Sequence, residues 1–109
     1  MGDIESGRTV VVLITSPPDE ADEIASVIVE GKLAACVNIV PLVRSVFGWE
    51  GKVEHEDESL LLVKTTREVV APLIDRVRDV HPYENFELIA LPIDSGSQPY
   101  LRWIVKTLT

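Results

Sequence analysis

The 109-residue sequence predicts an α+β fold with the element order β-α-β-β-α-β and a short terminal helix. Three patterns predict it. Runs rich in β-branched and apolar residues, typical of strands, occupy residues 9–15, 33–47, 53–64 and 86–93. Apolar residues recur three and four positions apart, as in amphipathic helices, over residues 19–31 and 66–80. Glycines at 48 and 51 indicate that the two middle strands form a hairpin. With right-handed crossovers, this order predicts a ferredoxin-like fold, an antiparallel sheet with two helices on one face.

The first strand and helix are defined by their flanking residues. Residues 9–15 are apolar on both faces, which predicts a central strand. Pro17 and Pro18 then precede Asp19 and Glu20, and prolines and acids of this kind favour the start of a helix. We expect Gly31 to cap its end.

The hairpin has an acidic half and an apolar half. Residues 54–58 are strongly acidic and are predicted to project into solvent, whereas residues 60–63 are wholly apolar and are predicted to lie inside the sheet. Pro41 removes a backbone donor from the preceding strand, so we expect a bulge or an edge position there.

The second helix has clear boundaries. Thr66 is predicted to be its N-cap, and His81-Pro82 is predicted to end it. After the last strand, residues 94–97 are predicted to turn the chain. A short terminal helix is then predicted, which carries Tyr100, Leu101, Trp103, Ile104 and Leu108.

Composition excludes several classes of protein. The net charge of −8 argues against nucleic acid as a partner. The single cysteine excludes an internal disulfide and a multi-thiolate metal cage. No apolar run is long enough to span a membrane, and the first residues lack a signal peptide's pattern, so we expect a cytoplasmic protein. The predicted domain organisation is a flexible N-terminus over residues 1–8 and one domain over residues 9–109.

Several functions of this architecture do not fit the residues. The first loop has no cysteine pair for Cu(I), the strands lack the aromatic residues that stack RNA bases, and Pro17 and Pro18 remove the amides that an anion-binding loop needs. No nucleophile–base pair or catalytic motif is visible, so we expect no enzyme activity.

The segment around His81 is the best candidate for a site. A proline-fixed turn places Tyr83 and Glu84 close behind it, so an imidazole, a phenol and a carboxylate are expected to converge. Such donors suit Cu(II), Zn(II) or a polar small molecule. The alternative is that His81 only caps the last carbonyls of its helix.

Other unusual residues have two interpretations each. Cys36 is a buried inert thiol or a ligand, and His55 is a solvated histidine among carboxylates or a metal ligand. Trp49 and Trp103 are expected to pack in a core or an interface.

The sequence also resembles a known family. The matching motifs, in order, are VVVL at residues 10–13, PDEA at 18–21, KLAACVNI at 32–39, WEGKVE at 49–54, LVKTT at 62–66, HPYE at 81–84 and YLRWI at 100–104. Together they resemble the CutA family of divalent-cation tolerance proteins. The resemblance implies a ferredoxin-like subunit in a tight homotrimer, much as in the PII signalling proteins. It also implies a role in divalent-metal response with Cu(II) binding and no obligatory cofactor.

The sequence departs from the family at the copper ligands. The resemblance implies a cysteine near the end of the first strand and a His-His pair before Pro-Tyr. This sequence has Ile14 at the first place and Val80-His81 at the second. Only His81 is retained.

The leading hypothesis is therefore a CutA-like homotrimer that weakly binds Cu(II) or another divalent cation. His81 and Glu84 are the predicted metal ligands. A cleft between subunits is predicted to be lined by Cys36, Trp49, Lys64, Tyr83 and Trp103. Two alternatives remain open at this point: a PII-like protein that senses a small anionic metabolite through Lys64 and Arg67, and a structural, partner-binding trimer with no small ligand.

Overall fold

A computed structural model describes residues 7–109 and confirms the predicted element order. Within these residues the chain forms four strands, three α-helices and two 3-10 turns, at Pro18–Glu20 and Arg67–Val69. The strands are β1 (Thr9–Ser16), β2 (Cys36–Trp49), β3 (Lys52–Thr66) and β4 (Leu88–Pro92). The helices are α1 (Ala21–Glu30), α2 (Val70–Val80) and α3 (Gln98–Leu108).

The predicted flexible segment, residues 1–8, falls mostly outside the described residues and stays a prediction. Its last two residues, Gly7 and Arg8, are described and contact the 3-10 turn Arg67–Val69 that precedes α2. The Arg67 Nε donates to the Gly7 carbonyl at 3.3 Å, and the Arg8 guanidinium lies 3.1 Å from the Glu68 carboxylate. The Arg8 hydrogen bond holds the pKa of Glu68 below its ordinary value.

The sheet has the strand order β2-β3-β1-β4, and each neighbouring pair is antiparallel. This is the ferredoxin-like arrangement. Alternate residues of the strands face α1 and α2, because successive side chains of a strand point to opposite faces. The largest fully buried side chains of this core are Val10, Val12, Ile14, Ile24, Ile28, Leu61, Val63, Leu73 and Val77.

The opposite face of the sheet is only partly covered. Helix α3 packs Leu101 and Ile104 against Ala35 and Ile93. The rest of this face, in the single chain, leaves large apolar side chains in contact with water. Ile89, which lies opposite Leu13 in the β1–β4 register, is 50% exposed.

The β2–β3 hairpin extends well beyond β1 and gives the molecule its 50 Å length. Its turn is the two-residue segment Glu50-Gly51, with φ of 49° and 78°, between the paired residues Trp49 and Lys52. Two positive φ values match the type I′ turn that two-residue hairpins prefer. The register shifts between Val40 and Val43, so the bulge predicted at Pro41 is confirmed.

Both predicted caps lie at helix ends, Gly31 as the C-cap of α1 and Thr66 as the N-cap of the 3-10 turn before α2, but neither has the usual cap geometry. Gly31 follows α1 with φ of −80°, and the left-handed residue is Lys32 at 57°. Gly31 instead permits a close approach, because a Cβ there would lie 3.2 Å from the Val27 carbonyl oxygen. Thr66 occupies the N-cap of the 3-10 turn before α2, but its side chain makes no capping hydrogen bond. The last strand is also shorter than predicted.

Candidate functional site

His81 anchors the segment that follows α2 to the end of β1. The helix ends at Val80, and His81 itself is extended and only 7% exposed. The Tyr83 amide donates to its Nδ1 at 3.1 Å. Since a backbone N–H can only donate, the hydrogen of the neutral ring is on Nε2, which donates to the Thr15 carbonyl at 2.8 Å. The imidazole therefore bonds to β1. His81 also caps its own helix, as the alternative interpretation predicted, but through its backbone N–H, which donates to the Val77 carbonyl at 2.8 Å, and not through its ring.

Two aromatic rings hold the imidazole in place. Phe86 stacks on it with a centroid separation of 5.1 Å and an interplanar angle of 22°. Tyr83 lies at 5.1 Å on a tilted plane. His81, Tyr83 and Phe86 thus fix the loop that leads from α2 to β4.

This loop and the hairpin enclose a cavity of about 870 Å³. It is lined by Phe47, Trp49, Glu54, Glu56, Glu58, Pro82, Tyr83, Glu84 and Asn85. The hairpin register explains why these residues of β2 and β3 line the cavity together, since Phe47 lies opposite Glu54 and Trp49 lies opposite Lys52. Directly opposed residues share a face, and i and i+2 residues lie on the same side of a strand. The aromatic residues of β2 and the acids of β3 therefore belong to one face.

The cavity is strongly acidic. Burial raises the pKa of the Tyr83 phenol above its ordinary value of 10.0, and the carboxylates of Glu56 and Glu58 raise it further. The phenol is therefore neutral at physiological pH and can donate its hydrogen. Glu58 is only 7% exposed, so the prediction that residues 54–58 project into solvent is wrong at that residue.

The residues predicted to line a single cleft fall into two groups within the chain. Trp49 and Tyr83 line the cavity. The predicted metal ligand Glu84 also lines it, and the other predicted ligand, His81, lies directly behind it. The other predicted members do not line it. Lys64 lies six residues along β3 from Glu58, or about 20 Å at the usual rise of a strand.

The second group lies on α3 and on the strands next to it. Cys36 is half-buried and is paired with Lys64 across the β2–β3 register. Burial, and then a hydrogen bond and charge interaction with Cys36, raise the pKa of Tyr100. Trp103 stacks on Tyr100 at 5.5 Å and is half-exposed, so it is not a core residue of this chain. Whether these two groups meet across a subunit boundary stays a prediction.

The sequence interpretation missed the acids of β3 as site residues. The signal was present as the alternation Glu54, Glu56, Glu58, which places three carboxylates on one side of a strand. The mean charge of the segment predicts exposure to solvent, whereas its two-residue period predicts a shared side of the strand.

The copper hypothesis meets a constraint in this geometry. Both ring nitrogens of His81 are hydrogen-bonded, so a metal has to displace Thr15 or the Tyr83 amide. Across residues 7–109, no three His, Cys, Asp or Glu side chains are grouped to hold a metal ion. Ile14, at the family's cysteine position, is a fully buried core residue. His55 is exposed and lies opposite Val46 on the other hairpin face. The ligand role of His81 and Glu84 stays a prediction.

Comparison with known proteins identifies the family. The model of the CutA1 divalent ion tolerance protein family matches residues 10–107. This chain belongs to that family. The match includes the hairpin, the His81 segment and most of α3, so it covers both groups of candidate residues.

Named relatives agree with this assignment. The chain is 50% identical over 95 residues to the divalent-cation tolerance protein CutA of Thermus thermophilus, covering 86% of this chain and 92% of that protein. It is 46% identical over 99 residues to protein CutA of Homo sapiens, covering 90% of this chain but only 55% of the human protein. A solved structure from Archaeoglobus fulgidus, named as a periplasmic divalent cation tolerance protein CutA, superimposes with a TM-score of 0.89 at 40% identity. That superposition covers 93% of this chain and 99% of the other.

No helix within residues 7–109 has the length and hydropathy needed to cross a membrane.

Proposed function

We propose that this chain is a divalent-cation tolerance protein that acts by binding cations, as a homotrimer, and not by catalysis. The observation that carries the proposal is the acidic cavity beside the His81 segment. Glu54, Glu56, Glu58 and Glu84 line it, and a concave surface with one sign of charge concentrates ions of the opposite sign. The names of the relatives agree with a role in cation tolerance.

Within this proposal, Cu(II) or another divalent cation binds weakly at the His81 end of the cavity. Glu84 supplies a carboxylate, Tyr83 supports it with a phenol oxygen, and His81 supplies an imidazole nitrogen after giving up one hydrogen bond. The lost hydrogen bond lowers the affinity. Because three or four protein ligands are usual for such metals, a neighbouring subunit completes the set.

Copper titration followed by native mass spectrometry tests this site, and the two histidines of the chain provide a matched pair of variants. We expect stoichiometric but weak Cu(II) uptake that His81→Ala abolishes and His55→Ala leaves intact, because His55 lies on the other face of the hairpin. Uptake that is absent, or equal in the two variants, would contradict the site and favour a structural trimer that acts through partner proteins.

The open face of the sheet supports assembly. Ile89, Leu91 and Val40 are at least a third exposed in the single chain and continue the apolar surface of Leu13 and Leu62. Apolar surface of this kind marks an interface. The family resemblance implies that three copies cover it.

The geometry gives no support to an anionic metabolite in this cavity. Its carboxylates repel anions, and the cations invoked for such a ligand lie elsewhere. Lys64 is next to Cys36 in the sheet, and the Arg67 guanidinium bonds to the Gly7 carbonyl.

We propose the cytoplasm as the site of action, since a single cysteine suits a reducing compartment.

A further inference from the structure

Glu58 is a buried acid without a cation. It is more than nine-tenths buried and lines the cavity. Among residues 7–109 its carboxylate has neither a hydrogen-bond partner nor an ion-pair partner. No fully enclosed side-chain oxygen or nitrogen in this part of the chain lacks a partner, so the carboxylate oxygens of Glu58 reach the accessible surface. Because this carboxylate belongs to a mostly buried residue and has no partner, a cation or donor that enters the cavity beside it is stabilising.

The carboxylates of the cavity are spaced along it and are not clustered around one position. Glu54, Glu56 and Glu58 alternate along β3, so neighbouring members of this series are about 6.6 Å apart along the strand. Glu84 faces them from the loop after α2. Four carboxylates thus line one cavity, yet no three of them, within the described chain, are grouped closely enough for a metal ion. An elongated cation whose charges are separated by a few methylene groups matches this spacing.

The remaining walls suit the apolar part of such a ligand. Phe47, Trp49 and Tyr83 present aromatic rings to the same cavity. Aromatic faces attract ammonium groups and pack well against methylene chains. The neutral phenol of Tyr83 also keeps its hydrogen.

We infer that this cavity binds an aliphatic polyamine, with its ammonium groups on the carboxylates of Glu58 and its neighbours and its methylene chain on the aromatic rings. The inference concerns the acidic cavity of the proposed function but does not depend on metal binding. It can therefore fail while copper uptake at His81 stands, and it can hold when copper uptake fails.

Spermidine is the probe, and Trp49 is the reporter. The chain has two tryptophans, and Trp103 belongs to α3 and does not line the cavity. In a Trp103→Phe background, with a metal chelator present, we expect spermidine to change the Trp49 fluorescence saturably. Glu58→Gln keeps the shape of the side chain and should weaken binding about tenfold, the usual effect of losing one charge-assisted contact.

Asp57→Asn is the matched control. It removes the same charge from the adjacent residue, which lies on the other face of the hairpin near Arg44. Its effect should stay within about twofold, since at this distance only screened charge is lost. Glu56→Gln is a second test in case Glu58→Gln disturbs folding, because Glu56 is exposed and also lines the cavity. This variant should weaken spermidine binding as well.

Three results would overturn the inference. The first is the absence of a saturable response, which is also the result expected if a neighbouring subunit fills the cavity. The second is equal weakening by Glu58→Gln and Asp57→Asn, which would indicate a response to net charge alone. The third is an equal response to Mg²⁺ without the chelator, which would indicate a site for any cation.

Discussion

His81 determines where the chemistry-bearing side chains behind it lie. Its two ring hydrogen bonds connect the Tyr83 amide to the Thr15 carbonyl, and so tie the loop after α2 to the end of β1. Tyr83 and Glu84 reach the cavity because of that connection. The imidazole thus has a structural role in the single chain whether or not it also binds a metal.

The pKa of the Tyr83 phenol depends on burial in the cavity and on the carboxylates of Glu56 and Glu58. Burial is the first cause of its raised pKa and Glu56 the second, so Glu56→Gln should lower it toward 10.0 without reaching that value. The chain has two tyrosines, and a Tyr100→Phe background leaves Tyr83 as the only phenol in a tyrosinate absorbance titration. Because the folded pKa is raised, the neutral phenol contributes stability below pH 10 that is lost as the pH rises through the folded pKa. An unchanged pKa in Glu56→Gln, or an equal fall in Asp57→Asn, would contradict this account.

Sequence reasoning found the His81-Pro82-Tyr83-Glu84 segment because a helix-ending proline and three polar side chains occur together. It could not find the partner of His81, since Thr15 is 66 residues away and contributes a backbone oxygen, which leaves no mark in the residue pattern.

At the scale of elements, the β2–β3 hairpin builds most of the cavity wall, and its turn sets the register that brings Phe47 opposite Glu54. The sequence predicted a long hairpin from Gly48 and Gly51. The sequence did not show which two residues form the turn, because either glycine can occupy a tight turn. In the structure only Gly51 of these two glycines has a positive φ, the region in which a side chain is costly.

Gly51→Ala should therefore destabilise the protein by about 1 kcal/mol, the usual cost of an L-residue in the left-handed region. Nothing lies within 4 Å of the added Cβ, so strain of the backbone is the only expected cause. Gly48→Ala is the control, because its Cβ would meet only the Lys52 carbonyl at 4.0 Å and its φ is not positive. Urea unfolding at one protein concentration measures both. Equal loss in the two variants would show that the turn does not hold the register.

At the scale of the whole molecule, the sheet separates a closed core from an open apolar face. The apolar pattern of residues 9–15 on both faces predicted a central strand, and β1 does lie between β3 and β4. The helices α1 and α2 pack on one side, where Val12, Leu61 and Val63 are fully buried, whereas α3 packs on the other side only at the end near Ala35. Periodicity shows that a face is apolar but not what packs on it. The proposal that other subunits cover this face therefore rests on the family resemblance.

The native mass of the protein tests the proposed assembly most directly. A homotrimer has three times the 12.1 kDa of one chain, and we expect this mass. Ile89→Glu, which places a charge on the open face, should reduce it to a folded single chain. Val29→Glu, at a comparably exposed residue of α1, should leave three chains together. A single-chain mass for the unmodified protein, or the same mass for both variants, would contradict the assembly.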